Sequence, residues 1–153
     1  MTLPGGKTGR RNEIICRRLG NWAEQDGTGI TFAPLTLFIL PNGAKRAPDA
    51  SWLRRERWDT LTDEQQEKAP PLCPDFVVEL ISPSDRLPKV QAKMREWMEN
   101  GAALGWLIDA DRRTVYVYRP AHPTQELVDV DHVAGEGPVE GFRLDLADIW
   151  QGL

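Results

Sequence analysis

Glu79 stands mid-way in Phe76-Val77-Val78-Glu79-Leu80-Ile81-Ser82. That run is otherwise apolar enough for a strand buried on both faces. On a period of two, Glu79 shares a face with Val77 and Ile81. A carboxylate in such a place is costly unless it is paired or metal-bound. It is therefore either an ion-paired residue at a sheet rim or a metal ligand or general base. Asp49, thirty residues earlier, follows Pro48, which fixes the backbone just before it. Pro-Asp at the head of a strand can present a carboxylate, although the same dipeptide is common in turns. Lys93 falls fourteen residues after Glu79, at the edge of an apolar helical stripe. Its stem either snorkels along that edge or leans over the end of the sheet toward the two carboxylates.

Two carboxylates and a lysine make one chemistry together. Mg²⁺ is a hard cation that takes carboxylate oxygens, water and substrate phosphate. It lowers the pKa of bound water and steadies charge on phosphate. A nearby ammonium orients the water and offsets that charge. Glu13, on the first helix, is either an outer ligand through water or a solvated helix-face charge. Asp75 sits in a second Pro-Asp pair, four residues before Glu79. Four strand residues span about 13 Å, too far to share one ion, so Asp75 reads as a loop or strand-start residue.

The elements that must position these groups follow from periodicity. Residues 11–25 read as a helix with Ile15, Leu19, Trp22 and Ala23 on one face, ended by Asp26-Gly27. Residues 30–40 and about 47–53 read as strands of a hairpin around Pro41-Asn42-Gly43, with Pro34 as an interruption. Residues 56–69 are polar, and Thr62 to Gln65 has capping-box spacing. A buried strand over 76–82 precedes a helix over 88–100, whose stripe is Val90, Met94, Trp97 and Met98. Two strands, 104–109 and 114–119, are joined by a tight polar turn. Weaker patterns suggest strands over 127–133 and 142–146 and a last helical turn over 146–150. Helix packed on a mixed, twisted sheet around one buried central strand is the simplest α/β answer.

The 153 residues form one domain, long enough to bury a core without staples. Apolar residues at 41% and charged residues at 27% exclude disorder. No apolar run approaches the roughly 20 residues of a membrane span. The polar start has no apolar leader, so the chain is expected in the cytoplasm with Cys16 and Cys73 as free thiols. His122 and His132 are the only histidines, which excludes structural zinc and most histidine-based catalysis. A net charge of −4 means that any phosphate contact must come from a local basic patch. Arg10, Arg11, Arg17 and Arg18, with Arg54, Arg55 and Arg57, form two candidate patches, or an ordinary solvated surface. Trp52, Trp58, Trp97 and Trp106 fit core packing better than base stacking.

Several stretches together resemble the Uma-two family of endonucleases, a branch of the PD-(D/E)XK, restriction endonuclease-like superfamily. They are TGRRNEII (8–15), LPNGAKRAPDASWLRRERW (40–58), CPDFVVELISPSD (73–85), QAKMREWMENGAALGWLID (91–109), VYVYRP (115–120) and GFRLDLADIW (141–150). The resemblance implies a single nuclease-like domain over 1–153 with a mixed sheet flanked by helices. It implies a Mg²⁺-dependent endonuclease acting on DNA, with Mn²⁺ able to substitute. Asp49 matches the Pro-Asp motif and Glu79 the glutamate of the V-E-L-x-S strand. Lys93 matches a lysine that has moved into the following helix. The position two after Glu79 is Ile81, so the usual E-x-K spacing is absent. That departure fits a migrated lysine or a chain that has lost activity. The alternative is therefore an inactive nuclease-fold module that binds nucleic acid or a protein partner. Relatives also carry a further hairpin before the TGRRN stretch. Its absence here would leave a sheet edge that a second copy covers, which implies a homodimer.

Overall fold

The computed structural model describes residues 3–153. Helix α1 (Gly6–Asp26) begins ahead of the predicted residue 11. Gly6 and Gly9 hide that extra turn from a periodicity reading. Just after that turn the buried Arg11 ties α1 to the end of the chain: it donates from Nε to the Ile149 carbonyl at 2.6 Å and from Nη2 to that of Trp150 at 3.1 Å. At its far end α1 stops on Gly27, whose φ of +79° is left-handed and whose N–H bonds the Ala23 carbonyl.

The predicted hairpin forms, but it is broken in the middle of both arms. The first arm gives β1 (Gly29–Phe32) and β2 (Phe38–Ile39), with Pro34 between them. The second gives β3 (Lys45–Arg46) and β4 (Ala50–Arg54), with Pro48 between them. β2 pairs β3 around the turn, and β1 pairs β4 lower down, both antiparallel. Gly29 is needed where it is, because a Cβ there would lie 2.1 Å from the ring of the fully buried Trp52.

A short helix, α2 (Arg55–Asp59), escapes the polar pattern; its Trp58 packs on Phe32 at 5.6 Å between ring centroids. α3 (Asp63–Glu67) has the predicted capping box: the Gln65 N–H donates to Thr62 Oγ1 and the Thr62 N–H donates to Gln65 Oε1. β5 (Phe76–Leu80) is buried along its whole length. α4 (Leu87–Glu99), β6 (Leu104–Asp109) and β7 (Thr114–Tyr118) follow close to their predicted bounds. The 127–133 stretch, expected as one strand, divides at Asp129 (φ +53°) into β8 (Gln125–Val128) and β9 (His132–Ala134). β10 (Arg143–Asp145) pairs with β9, and α5 (Ala147–Gln151) ends the chain's helices.

The main sheet runs β1-β4-β5-β6-β7-β8. Only β5 and β6 are parallel, because α4 carries the chain back across the sheet between them. Alternation divides the sheet cleanly. Trp52, Phe76, Val78, Leu80, Trp106 and Ile108 face α1, β10 and α5. Leu53, Val77, Leu107 and Tyr116 face Val90, Met94 and Trp97 of α4 and Phe38 of the small hairpin. This is the mixed α/β sheet flanked by helices that the sequence predicts. It leaves Glu79 on the α4 face, as a carboxylate under a helix.

Candidate active site

Glu79 is only 5% exposed. Two side chains from α4 meet it. Lys93 Nζ lies 3.6 Å from Oε2, and Trp97 Nε1 donates to Oε1 at 3.3 Å. Residues four apart stack on one helix face, so a single seating of α4 delivers both donors. Lys93 keeps 38% of its side chain exposed, so its ammonium reaches the carboxylate from the solvent side.

Asp49 arrives from the other side of β5. The β4–β5 register pairs Ala50 with Val78. One step further sets Asp49 opposite Glu79, and directly opposed residues of an antiparallel pair hold their Cβ atoms about 4.5–5.5 Å apart. The main-chain pairing of β4 with β5 stops at Ala50. Instead the Leu80 N–H donates to Asp49 Oδ2 at 2.7 Å, so the side chain takes the place of a main-chain acceptor and is pinned there. The second oxygen, Oδ1, has Asn12 Nδ2 of α1 at 3.5 Å.

The electrostatics follow from this crowding. Burial first, and then the negative charge of Asp49, push the Glu79 carboxyl up to about 8 against the pull of Lys93. Burial also raises Asp49, opposed by its bond from the Leu80 N–H and by Lys93, with Asp85 adding to the rise. Asp85 folds the loop between β5 and α4: its Oδ2 accepts from the Ser82 N–H at 2.8 Å and from Ser82 Oγ at 2.9 Å. Cys16 Sγ donates to the Asp49 carbonyl at 3.1 Å, and burial pushes its thiol up to about 11. It is therefore a neutral neighbour and not a nucleophile.

Glu13 does not join this group. Its two oxygens are each 2.9 Å from a guanidinium, one of Arg10 and one of Arg17, on the exposed side of α1. The helix turns Asn12 toward Asp49 instead. Asp75 is structural: it accepts from the Arg54 N–H at 2.8 Å and pairs with Arg57 at 3.1 Å. Much of the two arginine groups is engaged in the fold. Arg11 binds the end of α5, Arg18 pairs with Asp148 at 2.5 Å, and Arg57 donates to the Cys73 carbonyl at 2.8 Å. Trp52, Trp97 and Trp106 are fully buried, which leaves no face for a base.

Sequence reasoning missed Asn12, Asp85 and the polar role of Trp97. Asn12 was findable: it lies four residues before Cys16 and seven before Leu19, a polar residue on the buried side of a helix. Its Oδ1 is buried with no partner.

Lys93 also lines a cleft of about 670 Å³ whose walls include Arg46, Asp85, Arg86, Lys89 and Glu96. Among the described residues no three His, Cys, Asp or Glu side chains gather into a complete cation cage. Asp49 and Glu79 thus offer a pair of hard oxygen ligands beside one ammonium. Mg²⁺ suits such a pair, because it keeps several waters and takes one or two carboxylates.

Two solved structures are similar to this chain, and the first shares its fold. The crystal structure of "a putative nuclease belonging to DUF820" from Anabaena variabilis ATCC 29413 is 23% identical, with a TM-score of 0.80. The match covers 99% of this chain and 84% of that one. A cryoEM structure of a DrdV-DNA complex is 11% identical over 80% of this chain and 12% of that one, with a TM-score of 0.46. No curated protein matches the sequence. The family profile that matches spans residues 1–147, so nearly every element described above lies inside it, and the chain belongs to that family, Uma2, described as "Putative restriction endonuclease".

Proposed function

We propose that this protein is a Mg²⁺-dependent endonuclease that hydrolyses DNA phosphodiester bonds, with Mn²⁺ able to replace Mg²⁺. Asp49 and Glu79 hold the cation, and Lys93 positions the attacking water. The observation that carries this reading is the 3.6 Å approach of Lys93 Nζ to Glu79 Oε2. The residue two after Glu79 is Ile81, yet α4 brings an ammonium to the carboxylate all the same. The donor set fits a hard cation on physical grounds as well. Two neighbouring carboxylates resist ionising together, and a divalent ion relieves that repulsion.

A bound Mg²⁺ would supply Lewis-acid stabilisation of phosphate charge and an acidified water. The chain does the rest. The Leu80 N–H holds Asp49 in one rotamer, and Trp97 orients Glu79. Lys93 donates to the water oxygen and offsets charge on the phosphate from the open side of the site. The test is supercoiled plasmid with Mg²⁺ or Mn²⁺. Wild type should nick and linearise it, and Asp49→Ala should not. A wild type that leaves the plasmid intact in both metals would overturn the enzyme in favour of a binding module.

In this reading the active protein is a homodimer. β1 is an edge strand of the main sheet, and Leu35 and Leu37 beside it are 50% and 40% exposed. A bare edge next to apolar side chains invites pairing, and a second copy would cover it. Light scattering should give twice the chain mass; a monomer at high concentration would sink the idea.

A further inference from the structure

Beside the carboxylate pair, the cleft of about 670 Å³ carries two cations that the fold does not use. Arg86 and Lys89 are exposed and form no ion pair among the described residues. The acidic groups of the same cleft are engaged elsewhere: Glu96 is held by Arg46, with Nη2 to Oε2 at 3.3 Å, and Asp85 by Ser82. Helix stability does not explain these positions either. Arg86 is the N-cap of α4, without a side-chain capping bond, and Lys89 lies in its first turn. Positive charges there oppose the helix dipole.

Their placement does match a row. Arg86, Lys89 and Lys93 are three and four residues apart on one side of α4. Seven residues of helix rise about 10 Å. That is about three nucleotides of a strand at 3.4 Å of duplex axis each. The row ends at the ammonium that touches Glu79. Among the described residues the cleft lining includes no aromatic side chain on which a base could stack.

We infer that Arg86 and Lys89 form a phosphate-binding subsite that holds the DNA strand beside the scissile position, in continuity with Lys93. This rests on the nuclease reading for the location of the scissile phosphate, but not for the binding itself. Contacts of this kind fix position and carry no sequence information. The subsite should therefore act alike on every duplex and respond to salt.

The experiment is fluorescence anisotropy of labelled duplexes of two unrelated sequences, in EDTA so that no cleavage occurs, over a series of salt concentrations. Arg86→Ala/Lys89→Ala should raise Kd roughly tenfold on both duplexes and reduce the slope of log K against log salt by about 2, since each lost phosphate contact removes about 0.9. Arg86→Lys/Lys89→Arg should restore both quantities, which excludes a folding defect. Lys68→Ala/Arg143→Ala removes two exposed charges outside the cleft and should leave the slope near that of wild type. A double alanine variant with the slope of wild type would overturn the subsite, as would a wild type without measurable affinity. Failure of the hydrolysis reading looks different: an intact plasmid in Mg²⁺ and Mn²⁺ together with the reduced salt slope would leave the subsite standing.

Discussion

Lys93→Ala should lower the rate of plasmid cleavage by about 10²–10³-fold and change Mg²⁺ affinity by no more than a few-fold. The first figure is the usual cost of removing one preorganised donor that meets charge developing in a transition state. The second follows from coordination chemistry, since an ammonium is not a ligand and its loss only removes a positive neighbour from the carboxylates. Lys89 should not substitute, because it is exposed and makes no contact with Glu79, whereas Lys93 lies 3.6 Å away. Cleavage rates at saturating metal, set beside calorimetric titration of Mg²⁺ into both proteins, separate the two quantities. A variant that cleaves within threefold of wild type would remove Lys93 from the chemistry. One whose metal affinity collapses would make it a structural support of Glu79.

Glu79→Gln should abolish specific Mg²⁺ binding and flatten the pH dependence of stability in the metal-free protein. The Glu79 carboxyl stands at about 8 in the fold against an ordinary value of 4.5. Between those values the folded state binds a proton that the unfolded chain has already lost. The stability linked to that proton is therefore fully present below pH 4.5, declines as pH rises, and is gone once pH passes about 8. On the scale of 1.36 kcal/mol per pKa unit, a glutamine that never ionises should stabilise the metal-free protein by up to about 4 kcal/mol at pH 8 and by little at pH 4.5. Urea unfolding at the two pH values reads this directly. The same proton must leave before a cation binds, so Mg²⁺ affinity of the wild type should climb by up to about tenfold per pH unit as pH approaches 8. A metal affinity flat across that range, or equal in Glu79→Gln and wild type, would refute the assignment.

Both expectations depend on a meeting of residues that lie far apart in the chain, and that sets how much could be read in advance. Local pattern was enough wherever the physics is local. The buried run of β5, the apolar stripe of α4, the Asn-Gly turn of the split hairpin and the capping box of α3 each depend on neighbours within a few residues. So does the reading of Asp49, Glu79 and Lys93 as chemically suited types. Their meeting depends on more. Asp49 faces Glu79 because of the β4–β5 register, and its carboxylate completes the ladder at Leu80. Lys93 reaches Glu79 because Met94 and Trp97 seat α4 over Val77 and Leu107.

Some features were settled by long-range contact alone. Arg11, in the second turn of α1, binds the carbonyls of residues 149 and 150, across nearly the whole chain. Glu13 and Asn12 are adjacent: Glu13 pairs with Arg10 and Arg17 of its own helix, which is local spacing, but only the seating of α1 beside β4 brings Asn12 to Asp49. Of the arginines that looked like a phosphate patch, Arg11, Arg18 and Arg57 are claimed by carbonyls and acids from other elements, whereas Arg86 and Lys89, unremarkable by composition, are left facing the cleft. Residue pattern is enough to specify the strand that carries the central carboxylate, the helix that follows it and the kinds of group available for a cation and a phosphate. Which of those groups share one site is set by packing, because burial, register and helix seating are properties of pairs of elements and not of any one segment.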